Sequence, residues 1–108
     1  MSYQPAYTSR FGKRRLCDEV RACRVKSPWR RVLRFMAQLE CRFNGEWEPV
    51  VRYDTAHGFA HRDMLHPSGK TDKIETAVRD YNEALTFAIH DLTDHWAKYR
   101  RRYEEWLK

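Results

Sequence analysis

Val32-Leu33-Arg34-Phe35-Met36-Ala37-Gln38-Leu39-Glu40-Cys41-Arg42-Phe43, then Asn44-Gly45, then Glu46-Trp47-Glu48-Pro49-Val50-Val51-Arg52-Tyr53-Asp54 is the stretch that decides the fold. Leu33, Phe35, Ala37, Leu39, Cys41 and Phe43 alternate with Arg34, Met36, Gln38, Glu40 and Arg42. A period of two places one set on a buried face and the other in solvent, so this is a long amphipathic strand. Asn-Gly between two such runs is a hairpin signal, because both central residues of a tight primed turn need positive φ. In the returning strand Trp47, Pro49, Val51 and Tyr53 alternate with Glu48, Val50, Arg52 and Asp54. A two-residue loop sets Phe43 against Glu46 and puts the two apolar sets on opposite faces. A three-residue loop, Asn44 to Glu46, sets Phe43 against Trp47 and is the expected register. Pro49 cannot donate to a ladder, so the strand is at an edge there or bulged.

Towards the C-terminus, Thr55 to Gly58 is a connection and Phe59 to His66 a third strand. Phe59, His61, Asp63 and Leu65 share one of its faces, and Ala60, Arg62, Met64 and His66 the other. Pro67-Ser68-Gly69-Lys70 is a turn, after which Thr71 to Thr76 returns as a short fourth strand. Asp80 with Glu83 forms a capping-box variant that opens the longest element. Tyr81, Ala84, Leu85, Ala88, Ile89, Leu92, Trp96, Tyr99, Tyr103 and Trp106 fall within an arc of about 140°, a wide core-facing stripe. Such a helix spans roughly 39 Å, more than one small sheet covers, so its last turns project or pack on a partner. Trp96, Tyr99, Tyr103 and Trp106 therefore serve the core or a homodimer interface. Phe87 lies off the stripe as an exposed contact, and Arg100-Arg101-Arg102 complements the helix dipole.

Towards the N-terminus, Met1 to Gly12 has no periodicity and is expected to be a flexible arm. From Lys13 to Val25, Leu16, Val20 and Cys23 recur at helical spacing among arginines, and Ser27-Pro28 ends the run. The expected fold class is α+β. A three- or four-stranded antiparallel β-meander carries one long C-terminal α-helix packed on it and a short basic N-terminal helix or arm. Residues 13–108 form a single domain after the arm.

The 108 residues suffice for one modest core. Four tryptophans, six tyrosines and five phenylalanines argue against disorder. No run reaches the roughly 18 apolar residues of a membrane span, and no signal peptide is evident, so a cytoplasmic protein with no membrane partner is expected. Cys17, Cys23 and Cys41 are odd in number and lack Cys-x-x-Cys spacing, which fits reduced structural thiols; Cys17 and Cys23 have no further zinc ligands nearby. The net charge of +6 lies wholly in residues 1–54, with twelve Lys/Arg against six Asp/Glu, whereas residues 55–108 hold nine of each. Arg14, Arg15, Arg21, Arg24, Lys26, Arg30, Arg31, Arg34 and Arg52 are the candidate nucleic-acid contacts, since arginine forks suit phosphate geometry.

Tyr53 to His66 holds three of the five histidines, with Asp54, Asp63 and Arg62. RNA cleavage through the 2′-hydroxyl needs a base, an acid and cations for the developing phosphorane charge. His57 or His61 supplies base or acid, Asp54 or Asp63 orients an imidazole, Arg52 and Arg62 neutralise phosphate, and Tyr53 donates a proton or stacks a base. The candidate catalytic set is His57, His61, Asp54, Tyr53 and Arg62, working without metal or other cofactor. A metal site from His57, His61 and Asp63, with Asp54, would need the connecting loop to fold back.

The run Val50 to Arg62, with Asp80-Tyr81-Asn82-Glu83-Ala84 and Trp96 to Tyr103 downstream, resembles an uncharacterised family of short prokaryotic proteins over roughly residues 46 to 106. More distantly, a strand ending Tyr-Asp, a polar loop and paired histidines is similar to the TumE-type toxins of toxin-antitoxin operons. Those toxins set their histidines closer together, whereas here Arg62-Asp63 follows His61. The resemblance implies a small cytoplasmic toxin-like protein made beside a helix-turn-helix antitoxin, with Tyr53, Asp54, His57 and His61 at matching positions. The leading expectation is thus a nucleic-acid-directed protein, a toxin-like metal-independent ribonuclease acting on RNA rather than DNA. A non-catalytic nucleic-acid- or ribonucleoprotein-binding module and a metal-dependent enzyme using the His/Asp segment are the alternatives.

Overall fold

The computed structural model describes residues 7–14 (as backbone), 18–27, 29–56, 58–76 and 79–108. Seven elements follow in chain order: β1 (Tyr7–Arg14), β2 (Asp18–Lys26), β3 (Val32–Phe43), β4 (Glu46–Asp54), β5 (His61–Leu65), β6 (Thr71–Glu75) and α1 (Tyr81–Leu107). The strands form one antiparallel sheet in the order β1-β2-β3-β4-β5-β6. Helix α1 lies across one face, packed on β2, β3 and β4. The fold is α+β, a meander with a long helix on it. Ala84, Leu85, Ala88, Leu92, Tyr99 and Tyr103 of the apolar stripe are buried against Val20, Ala22, Phe35, Ala37, Leu39, Cys41, Val51 and Tyr53 of the sheet.

The β3–β4 hairpin departs from the expected register. Its loop has two residues, Asn44 (φ 51°) and Gly45 (φ 84°), with Phe43 opposite Glu46. The phase error that such a loop creates is cancelled by a bulge: Glu40 faces Pro49 and Leu39 faces Val51, leaving Val50 as the extra residue. Val50 and Val51 are both buried. Trp47 and Pro49 consequently pair with Arg42 and Glu40 on the open face, while Val51 and Tyr53 pair with Leu39 and Ala37 under the helix. Pro49 stands beside the ladder break, where its missing N–H costs least.

The N-terminal expectation is corrected. Residues 18–26 of the expected basic helix are strand β2, residues 13–14 end β1, and Tyr7 to Gly12 of the expected arm are also in β1. Met1 to Ala6 and residues 15–17 lie outside the described residues. The spacing of Leu16 and Val20 satisfies a period of two as well as 3.6, and burial decides: Asp18, Val20 and Ala22 are buried opposite Cys41, Leu39 and Ala37. Cys23 sits on the other face.

Asp80 caps the helix, its carboxylate accepting from the N–H groups of Asn82 (2.7 Å) and Glu83 (3.2 Å). Asn82 Oδ1 in turn accepts from Val32 N at 3.0 Å, fixing the first turn to the start of β3. The far end is held by Tyr103 stacked on Phe43 (5.0 Å) and by Arg100, which donates to Arg42 O at 3.0 Å. Trp106, at the end of the stripe, stacks on His66 at 3.7 Å. Phe87 is exposed, as expected, and meets Tyr53 edge to face.

Candidate functional site

Strand alternation sorts the candidate catalytic residues onto two faces. Asp54 pairs with His61, Tyr53 with Arg62 and Arg52 with Asp63. Arg52, Asp54, His61 and Asp63 therefore rise from the open face, whereas Tyr53 and Arg62 project beneath the helix. The four described members of the candidate set, Tyr53, Asp54, His61 and Arg62, do not meet in one cleft. His57 lies outside the described residues; next to it Gly58 (φ 85°) donates to Thr55 O at 3.1 Å in the turn that closes β4.

On the open face His61 is only 1% exposed. Its Nε2 lies 2.7 Å from Asp54 Oδ1 and 3.7 Å from Asp63 Oδ1, and its Nδ1 is 3.4 Å from Phe59 O. A carboxylate only accepts, so Nε2 donates to Asp54. Asp54, His61 and Asp63 each present a metal-ligating atom, and the three atoms lie within 4.8 Å of one another. Beside them Arg52 donates to Gln38 Oε1 at 2.8 Å, and Gln38 donates to Glu40 at 2.7 Å. That pairing turns Arg52 along the sheet.

Beneath the helix Asp91 collects hydrogen bonds that no short-range pattern announces. Tyr53 and Tyr99 each donate to Asp91 Oδ2 at 2.6 Å, and His95 Nδ1 is 3.1 Å from Oδ1. Arg62 donates to the Tyr99 hydroxyl at 3.2 Å. Burial, reinforced by the bond to Asp91, pushes Tyr99 up to about 12 and Tyr53 higher still. Both phenols stay protonated at neutral pH and serve as donors. His95, the outermost member, has non-helical dihedrals (φ −119°, ψ 17°) that kink α1 one turn after Asp91.

The basic residues gather at the β2–β3 loop. From Arg24 to Arg34 the chain has five cations and no carboxylate. Ser27 ties the loop: its O accepts from Arg30 N (2.9 Å), its N donates to Arg31 O (2.9 Å), and its Oγ accepts from Arg31 N (3.1 Å). Arg30 is held at φ 67°, a left-handed conformation that non-glycine residues avoid. At the tip Trp29 is 89% exposed. Sequence reasoning singles out Arg30 and Arg31 and passes over Trp29; its position between Pro28 and two arginines, in a turn, is the available signal. Arg24 and Arg34 also line a depression of about 410 Å³ that reaches Met36 and Asp54 on the open face. Of the other candidate contacts, Arg21 is engaged by Glu40 (3.4 Å) and Glu19 (4.0 Å). Arg14 lies in β1, where only backbone is described, and Arg15 lies outside the described residues.

A family model described as Domain of unknown function (DUF7718) matches residues 2–108. The chain belongs to the DUF7718 family. The match takes in the basic N-terminal strands as well as the His/Asp segment, so in DUF7718 both are parts of one unit. Comparison with curated proteins and with solved structures found no match. No helix among the described residues is long and apolar enough to cross a membrane.

Proposed function

We propose that this DUF7718 chain is a cytoplasmic nucleic-acid-binding module that grips single-stranded RNA with the tip of its β2–β3 hairpin. The observation that carries the reading is Trp29, almost fully exposed on a loop whose other long side chains are basic. An indole left in water has no packing reason to be there, and a base can stack on it while neighbouring guanidinium groups meet the flanking phosphates. The internal bonds of Ser27 pre-form the loop, which lowers the ordering cost of binding. RNA is favoured over duplex DNA because stacking needs unpaired bases.

Cleavage has less support. His61 is buried and clasped by Asp54, with Tyr53 and Arg62 on the opposite face, so among the described residues the toxin-type ribonuclease implied by resemblance has no converged acid, base and cation.

Fluorescence anisotropy with a labelled single-stranded RNA tests the binding reading. Trp29→Ala should weaken binding about tenfold, the loss of one stacked base. The slope of log affinity against log salt should be about −2, as for about three phosphate contacts on a single strand. Thermal stability should not change. Absence of binding at low salt, or equal affinity of wild type, Trp29→Ala and the Arg30→Ala/Arg31→Ala pair, would overturn it.

A further inference from the structure

We infer that Asp54, His61 and Asp63 form a binding site for a divalent transition cation, with zinc the ion whose donor preference fits best. The three side chains come from two directly hydrogen-bonded strands: Asp54 faces His61 across the β4–β5 ladder, and Asp63 follows two residues later on the same side. Strand backbone rather than loop sets their spacing, the kind of support that holds ligands in fixed geometry.

The observation that asks for a ligand is Asp63. It is 7% exposed, and its Oδ1 is a buried oxygen with no hydrogen-bond partner among the described residues. That oxygen is aimed at the cluster, 3.7 Å from His61 Nε2. The Lys73 ammonium is 3.9 Å away, beyond hydrogen-bond reach, on a side chain that is half exposed. Leaving a buried carboxylate oxygen unbonded costs more than a typical hydrogen bond contributes, and a second carboxylate beside it adds repulsion. A divalent cation between the three donors satisfies Oδ1 and balances both carboxylate charges.

The dimensions permit this. Two donors each about 2.1 Å from one zinc ion lie at most about 4.2 Å apart. The present limit of 4.8 Å closes with a small side-chain rotation. On coordination His61 binds as the other neutral tautomer: the proton that Nε2 now shares with Asp54 is transferred to Nδ1, which faces Phe59 O at 3.4 Å, and the Nε2 lone pair takes the metal. One imidazole and two carboxylates are a mixed nitrogen–oxygen set suited to zinc, and three protein ligands leave a further position for water. The site is independent of the hairpin tip and stands whether or not the chain binds RNA.

The test is titration of the folded protein with zinc chloride, followed by calorimetry and by nitrogen-15 NMR of the histidine rings. One ion per chain is expected, with the Nε2 resonance of His61 moving and those of His66, His90 and His95 unmoved. Asp63→Asn, nearly isosteric and relieved of a buried charge, should keep the fold by circular dichroism. It should bind zinc on the order of a hundredfold more weakly, the upper end of what even an outer-shell partner contributes. A wild type that takes up less than one equivalent overturns the inference. So does stoichiometric binding in which His61 is silent, a readout that needs no variant. Undiminished affinity in folded Asp63→Asn overturns it as well.

Discussion

At the scale of single residues, Asp91 organises the contact between helix and sheet. It accepts from two phenols that burial keeps protonated. A tyrosine whose folded pKa is raised gives up its proton more readily when unfolded, so above the ordinary phenol range the native state holds more protons. Stability contributed by Tyr53 and Tyr99 is complete below about pH 10, and it is lost as pH climbs towards the folded values. Urea unfolding between neutral and strongly alkaline pH should show this decline. It should be smaller in Tyr53→Phe, which also costs about 1–3 kcal/mol at neutral pH by removing one of the donors to Asp91. An unchanged alkaline slope in that variant would count against the network. None of this is legible in sequence. Tyr53 reads there as core or catalytic, but its partner is 38 residues away on another element, and no periodicity encodes that register. By contrast, the common side of His61 and Asp63, opposite to Arg62, follows from alternation alone and holds in the sheet.

At the scale of elements, two local devices define the hairpin and the helix. Gly45 stands at φ 84°, and a methyl group added there would find open space within 4 Å, so Gly45→Ala meets only backbone strain, about 1–2 kcal/mol. Asp80→Ala removes the acceptor for two first-turn N–H groups, at about 1 kcal/mol. Equilibrium denaturation measures both, and their separation in the fold makes the double variant additive. The Asn-Gly turn, the long strand before it and the capped helix are all readable, because each is written in adjacent residues. The identity of residues 18–26 is not, since a strand and a short helix both accept apolar residues four apart, and only the facing Leu39 and Ala37 decide between them. The bulge is half readable: Pro49 announces an irregularity without saying that Val50 is the extra residue.

At the scale of the molecule, the strands lie side by side in the order in which they are translated, and the helix folds back over three of them. Protection is therefore uneven. Hydrogen exchange should be slowest in β3 and in the α1 turns around Ala88 and Leu92, where both partners are fully buried, and fast in β6, four of whose five residues are exposed. Equal rates across the sheet would contradict this architecture. Two polar constellations result, back to back through one layer of backbone: Tyr53 and Arg62 with Asp91 on one side, Asp54 and His61 with Asp63 on the other. Which residues fall on which side is set upstream, by pairing with β3, from which the single extra valine in β4 is left out. Val50 is thus the residue that hairpin length can spare: its deletion closes the bulge and leaves Val51 opposite Leu39, Tyr53 opposite Ala37 and Asp54 opposite Met36, with the same side chains under the helix and in water. Losing a second residue has no bulge to absorb it and would exchange the inner and outer sets, bringing Asp54 under the helix and Tyr53 into water.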